Sequence, residues 1–328
     1  MLFEIPEQQP ALVGIARLAS ESPLLEAKHR VEYFLIEARS FVGRCSGTRM
    51  PFVWTVNPYR GCEFGCKYCY ARYAHEFMEL RDPQQFERKI YAKRFNPASF
   101  RAELTKVKSG ESVWIGTATD PYQPAERRYG ITRRILHVIA KERGLDIGIT
   151  TKSDLVARDA DLLKTIAENN HVHVHMTVTT TNERLARLVE PMAPRPELRF
   201  GAIRKLADRG IGVTVLANPV MPFITDSAEN LDAVCAAAAK AGAVSFSGHA
   251  LFLKPCSKAV FLPFVEQRFP HLAAKYRQIY AANAYLKGAY PEIVAERVKA
   301  AVAKHGLVER RLAYRAEHFA EQPQLSLW

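Results

Sequence analysis

"NPYRGCEFGCKYCYAR", residues 57–72, sets three of the chain's six cysteines within eight positions. Cys62, Cys66 and Cys69 follow a C-x3-C-x2-C pattern, with Gly61 and Gly65 placed to supply tight turns. Thiolates are soft ligands suited to zinc, copper(I) or iron–sulfur clusters. A structural zinc site takes four ligands, usually in two C-x2-C-type pairs. Here Cys66 and Cys69 make one pair and no second pair exists. Cys45, Cys235 and Cys256 are scattered; Cys45 is conceivable as a fourth ligand, but its 17-residue separation from Cys62 follows no zinc pattern. A [4Fe–4S] cubane held by three thiolates leaves one iron open, which turns an electron-transfer group into a catalytic one.

Around this segment the chain alternates between two textures. Short apolar, β-branched runs occur at 51–56, 112–117, 145–151, 171–178, 211–217 and 243–248. Between them lie helical stretches with capping signals, such as Thr132 before "RRILHVIAKERG", Ser153 before "DLVARDADLLKTIAEN" and "AENLDAVCAAAAKAG" closed by Gly242. Strands alternating with helices imply right-handed βαβ units and a parallel sheet. Six units predict an α/β fold, a partial (β/α)6 TIM-like barrel, with a flat doubly wound sheet as the competitor. In either, chemistry belongs to the loops leaving the carboxyl ends of the strands, and the cysteine segment follows the first strand. The expected organisation is an irregular, partly helical N-terminal extension (1–50), the barrel (51–250), a helical C-terminal region (251–318) and a flexible tail (319–328).

The 328 residues, 48% hydrophobic with mean hydropathy −0.16, suffice for one large domain or two modest ones. No apolar run approaches the roughly 18–20 residues needed to span a bilayer. The N-terminal "MLFEIPEQQPALVG" lacks the features of a signal peptide. These points predict a cytoplasmic protein with no membrane contact and with cysteines kept reduced for metal. Lys and Arg total 46 against 34 acidic residues, a formal charge of +12. That excess favours a polyanionic partner, nucleic acid first, against a basic enzyme without one. Arg60, Lys67, Arg72, Lys89, Lys93 and Arg94 surround and follow the cysteines, interleaved with Phe86, Tyr91 and Phe95. Cations engage phosphates and aromatics stack on bases; the alternative is a solvated helix face over packed aromatics. His171, His173 and His175 share one face of a strand, where packing along the barrel interior or its rim is favoured over metal binding.

C-x3-C-x2-C followed by an aromatic, after the first strand of a β/α barrel, resembles the radical S-adenosylmethionine (SAM) superfamily. The resemblance implies that Cys62, Cys66 and Cys69 hold a [4Fe–4S] cluster whose open iron chelates SAM, with Tyr70 flanking the adenine. "GTATDPYQPAERRYGITR", "TTKSDLVARDADLL", "VTTTNERLARLVEP" and "ANPVMPFITD" extend the likeness to the group related to spore photoproduct lyase, often labelled DNA repair photolyases. It implies Thr119 and Asp120 at the SAM amino group, and Lys152 and Thr179 at its carboxylate. One position departs: where spore photoproduct lyase carries a hydrogen-donating cysteine, this chain has Thr117. Cys256, after the sixth strand, or a tyrosine then becomes the candidate donor. The terminal Gln324, Leu325, Ser326, Leu327 and Trp328 resemble the pentapeptide by which polymerases and repair factors bind the bacterial sliding clamp, with Trp in place of the usual Phe. The expectation is a radical SAM enzyme on DNA, performing lyase-type repair of a damaged base and reduced by a flavodoxin or ferredoxin. Two rivals are radical SAM modification of RNA or protein, and an iron–sulfur DNA-binding redox sensor.

Overall fold

The structure is a computed structural model that describes residues 12–28, 30–45 and 52–308. Its strands are β1 (Leu24–Lys28), β2 (Val31–Ile36), β3 (Val42–Arg44), β4 (Trp54–Val56), β5 (Tyr59–Arg60), β6 (Lys89–Lys93), β7 (Ser112–Ile115), β8 (Asp146–Thr151), β9 (His171–Thr177), β10 (Gly212–Leu216) and β11 (Ser245–Ser247). A seven-stranded sheet runs in the order β11-β10-β9-β8-β7-β4-β3. Its six strands from β4 to β11 are parallel and correspond to the six predicted runs; β3 pairs antiparallel with β4 at one edge. β3 and β11 are both edges, so the sheet does not close on itself, and the fold is the partial barrel that was expected.

Period-two alternation divides each strand between two environments. Val56, Val113, Ile115, Ile147, Ile149, Val174, Met176, Val213 and Val215 face the core packed under the helices and are fully buried. The opposite face is polar and aromatic. Trp114 stacks on His175 at 4.3 Å, and His173 Nε2 lies 2.6 Å from the Thr214 hydroxyl. A Cβ at Gly148 would sit 2.6 Å from the Trp114 Nε1, so this glycine makes room for the indole. His173 and His175 thus pack inside the barrel, and part-exposed His171 meets Asp146 at its rim. The helices between strands include Ile131–Ile139, Ala160–Ala167, Pro196–Ala207 and Ala228–Lys240. Ser227 caps the last of these by accepting from Asn230 N at 3.1 Å.

Two expectations need correction. Among its described residues the N-terminal extension is more regular than expected: after the helix Gly14–Ser20, its strands β1 and β2 join β6 and β5 in a second sheet, order β1-β2-β6-β5. "FERKIYAKRF" is neither a solvated helix nor a stacking surface, because it ends a short helix and becomes β6. Phe86, Tyr91 and Phe95 are all buried, since β6 packs both faces and its aromatics belong to the core.

After β11 the chain is helical, with Pro255–Arg268, Ala273–Ile279 and Tyr290–Lys304. Phe261, Val265, Tyr276 and Tyr280 share one buried cluster with Cys62, Phe64, Cys66 and Tyr68. The C-terminal region is therefore the apolar backing of the cysteine loop. No helix among the described residues is long and apolar enough to cross a membrane. The tail motif Gln324–Trp328 lies outside the described residues.

Candidate active site

The cysteine loop is held by its backbone before any side chain acts. Gly61 has φ +80°, and a Cβ there would lie 2.6 Å from the Lys89 carbonyl oxygen, so only glycine fits. The Cys62 N–H donates to the Phe86 carbonyl at 2.9 Å, the Lys67 N–H to the Val189 carbonyl at 2.9 Å, and the Cys69 N–H to the Cys66 carbonyl at 3.2 Å. Arg72 is 2% exposed. It donates to the Cys66 carbonyl at 3.0 Å and the Pro83 carbonyl at 2.6 Å, and pairs with Glu87. Its expected contact with nucleic acid is thereby corrected: this guanidinium fastens the cysteine loop from inside.

All three loop thiols are free, with Cys62 and Cys66 buried and Cys69 partly so. Burial pushes all three up, Cys66 to about 12; for Cys62 the Asp120 charge and the other two thiols add to it. Thiolates this desolvated need bound cations to form. Among the described residues no three His, Cys, Asp or Glu side chains converge tightly enough for a single metal ion. A cubane instead gives each thiolate its own iron. The spacing of the three thiols, their burial and their closeness enough to feel one another's charge fit a [4Fe–4S] cluster.

The strand-end residues gather against this loop. Asp120 follows β7, and its carboxylate accepts from the Lys152 N–H at 2.7 Å, the Thr151 hydroxyl at 2.7 Å and the Tyr122 N–H at 2.9 Å. Burial raises the Asp120 carboxyl despite those bonds, a setting that favours a cationic partner. The Lys152 ammonium lies over the Tyr68 ring, 5.6 Å from its centroid. Burial alone would lower this amine, but the charges of Cys66, Glu190, Asp120 and Cys69 outweigh it and raise the amine. A half-buried carboxylate and a half-buried ammonium close enough to feel one another match the two charges of an amino-acid headgroup. The Thr119 hydroxyl is turned to the loop, donating to the Gly61 carbonyl at 2.6 Å and accepting from Gln123 at 2.9 Å. Thr179 is buried, its hydroxyl 3.5 Å from Glu190.

Glu190 and Arg199 escaped sequence reasoning. Arg199 pairs with Glu190 at 2.5 Å and donates to the Thr177 carbonyl at 3.0 Å and the Pro194 carbonyl at 2.8 Å. Tyr68, beside Cys69, also donates to Glu190. The available signal was a charge inside an apolar stripe: Arg199 sits with Phe200, Ile203 and Leu206 on the buried side of its helix. Burial would push the Glu190 carboxyl up, but the Arg199 and Lys152 charges and the bonds from Tyr68 and Arg199 hold it below the usual range. Arg199→Leu removes the ion-pair partner of that buried carboxylate, leaving it Tyr68 and the Lys152 charge, and is expected to cost about 3 kcal/mol, read by urea unfolding at pH 7.

At the mouth, the Tyr70 hydroxyl donates to the Thr117 carbonyl, and its ring lies 5.5 Å from Phe252. The Thr117 hydroxyl is bound to Thr55 and to the Asn57 amide at 3.1 Å. Cys256 Sγ stands 3.8 Å from the Tyr70 carbonyl oxygen, so the one cysteine proposed from the far end of the chain does reach the cysteine loop. Of the remaining basic residues, Lys67 is half-buried, Lys89 sits 6.0 Å from the Phe34 ring centroid, and exposed Arg94 pairs with Glu37 at 2.5 Å. Arg60 and Lys93 line a cavity.

Comparison with known proteins identifies the family and the fold. Residues 56–233 match the family described as the Radical SAM superfamily. An uncharacterized protein of Mycobacterium tuberculosis is 34% identical over 259 residues, 79% of this chain and 76% of that protein. One of Methanocaldococcus jannaschii is 29% identical over 198 residues, 60% of this chain and 71% of that protein. A spore photoproduct lyase mutant solved with bound AdoMet and dinucleoside spore photoproduct superposes with a TM-score of 0.63 over 93% of this chain and 85% of that one, at 13% identity. That likeness is one of fold. The chain belongs to the radical SAM superfamily, whose members bind a [4Fe–4S] cluster and SAM.

Proposed function

We propose that this enzyme acts on a nucleic acid, DNA first, in lyase-type repair of a damaged base. The observation that supports the radical chemistry is the juxtaposition of three free thiols, two buried and one partly so, with Asp120 and Lys152 at the carboxyl ends of β7 and β8. Bound there, the cluster and SAM would supply radical chemistry that starts with hydrogen abstraction from the substrate. Cys62, Cys66 and Cys69 hold the cluster; Asp120 takes the SAM ammonium and Lys152 its carboxylate, with Tyr70 against the adenine. Thr119 positions these groups through the Gly61 carbonyl, and Thr179 through Glu190. The nucleic-acid reading draws on the +12 charge and on the dinucleoside bound by a protein of the same fold. A base in a duplex must leave its stack before an enzyme can act on it.

Hydrogen return to the product is the step on which this chain departs from spore photoproduct lyase. A hydroxyl is a poor hydrogen-atom donor, and that of Thr117 is engaged with Thr55 and Asn57. Cys256, beside the Tyr70 carbonyl, takes the role in this proposal. A flavodoxin or ferredoxin supplies the electron, and the terminal pentapeptide recruits the sliding clamp.

The test is anaerobic incubation of the reconstituted enzyme with SAM, dithionite and either ultraviolet-irradiated DNA, undamaged DNA or RNA. Release of 5′-deoxyadenosine separates an enzyme from a redox sensor. Substrate conversion confined to irradiated DNA supports repair, whereas turnover of RNA alone overturns it. Cys256→Ala is expected to preserve 5′-deoxyadenosine release while losing product; unchanged product formation removes Cys256 as donor.

A further inference from the structure

Between the small sheet and the helix Gly14–Ser20 lies a cavity of about 220 Å³, lined among others by Ile15, Leu18, Glu37, Arg39, Arg60 and Lys93. Arg60 on β5 is opposite Tyr91 on antiparallel β6. Lys93, two residues on, therefore shares its face as a diagonal neighbour. The carboxylates nearby are already engaged: Glu37 pairs with Arg94 at 2.5 Å, and Glu103 accepts from Ser40 Oγ at 2.6 Å and from the Phe41 and Val42 N–H groups at 2.8 Å. The ammonium of Lys93 has the Phe41 ring 5.2 Å away. The fold thus brings two half-buried cations together with no carboxylate in ion-pair contact with either among the described residues.

We propose that this cavity is a phosphate site, with Arg60 and Lys93 as its ligands. The guanidinium offers a planar fork to two oxygens and the ammonium a point charge to a third. The volume equals that of about seven waters, enough for a tetrahedral oxyanion and its ester atoms. Burial, and after it the charge of Arg60, pushes the Lys93 amine down to about 7, with Glu103 offsetting only part. An incoming anion restores that proton and removes the repulsion between the cations. Arg60 immediately precedes Gly61 and Cys62, so an occupied site is coupled to the cysteine loop through one peptide. Its phosphate comes either from a polynucleotide backbone, a source that rests on the function proposed above, or from a free phosphate monoester or inorganic phosphate.

Amine acylation of the cluster-loaded full chain at pH 8, mapped by mass spectrometry, tests the site. Exposed Lys164 and Lys205 serve as internal standards. Inorganic phosphate at about ten times its Kd is expected to slow labelling of Lys93 about tenfold, leaving the standards unchanged. Arg60→Gln is expected to raise the half-protecting phosphate concentration about tenfold or more. A short deoxyoligonucleotide that protects equally identifies the backbone as the source. Protection by phosphate but not by the oligonucleotide keeps the site and assigns it to a small phosphate. Lys93 labelled at the same rate in both overturns the proposal, and if the oligonucleotide still binds by fluorescence anisotropy, the nucleic-acid reading survives that failure.

Discussion

Alanine at Cys62, Cys66 or Cys69 is expected to abolish the broad visible absorbance of the reconstituted protein and to drop 5′-deoxyadenosine release to background. The loss exceeds about 100-fold, because changes even in the outer shell of a metal site cost about 10–100-fold. Each thiolate serves a separate iron, so no neighbour can substitute. Burial, which raises all three thiols, leaves the remaining pair without the metal charge that stabilises them. Cys235→Ala is the control, since that residue is buried on the helix Ala228–Lys240 within the barrel core. Cys45→Ala decides between three and four protein ligands. Retention of full iron and sulfide in Cys45→Ala supports the three-thiolate site, and their loss makes Cys45 a fourth ligand and closes the position reserved for SAM.

The barrel was legible because each parallel strand is buried on its core face and bounded by turns, so the six apolar runs stand out locally. The resemblance implies that Asp120 and Lys152 take the two ends of one ligand; in the structure the Asp120 carboxylate accepts from the Lys152 backbone N–H at 2.7 Å. The N-terminal sheet was not legible, for a physical reason. Strand β2 finds its parallel partner β6 more than 50 residues downstream, and β1 is largely exposed, with no alternation to announce it. In β6 the lysines share a face with Tyr91, so charge marks the same side as a buried ring. Arg72 misled for a related reason. Whether an arginine meets solvent or three acceptors depends on where Cys66, Pro83 and Glu87 converge, and sequence spacing carries no record of that. Glu190 and Arg199 are nine residues apart but meet only after a turn and a helix start intervene.

Stability is expected to fall steeply between about pH 6.5 and 4, on account of three buried imidazoles. His75 is buried with Nε2 3.0 Å from the Lys89 carbonyl, His173 meets Thr214, and His175 lies against Trp114 with neither ring nitrogen on a protein partner. Burial pushes His75 and His173 down to about 4 and His175 to about 3, with the His171 and His173 rings adding to the last two and the Lys89 bond opposing for His75. Folded pKa values below the unfolded one mean that the unfolded chain binds more protons in this window. The contribution is full above about pH 6.5, drains as pH falls, and is gone once pH passes the folded values. Each histidine supplies a slope of about 1.4 kcal/mol per pH unit, so three supply about 4, against a typical total of about 5–15 kcal/mol. Glu63 and Asp120, whose carboxyls burial raises, take up protons while folded and offset part of the slope near the acid end. Urea unfolding at pH 7, 6 and 5 measures the slope, and His175→Phe, which keeps a ring against Trp114, should reduce it by about one third. A wild-type stability that stays level from pH 7 to 5 would mean that these imidazoles reach protons without unfolding, and that the barrel interior is open to water.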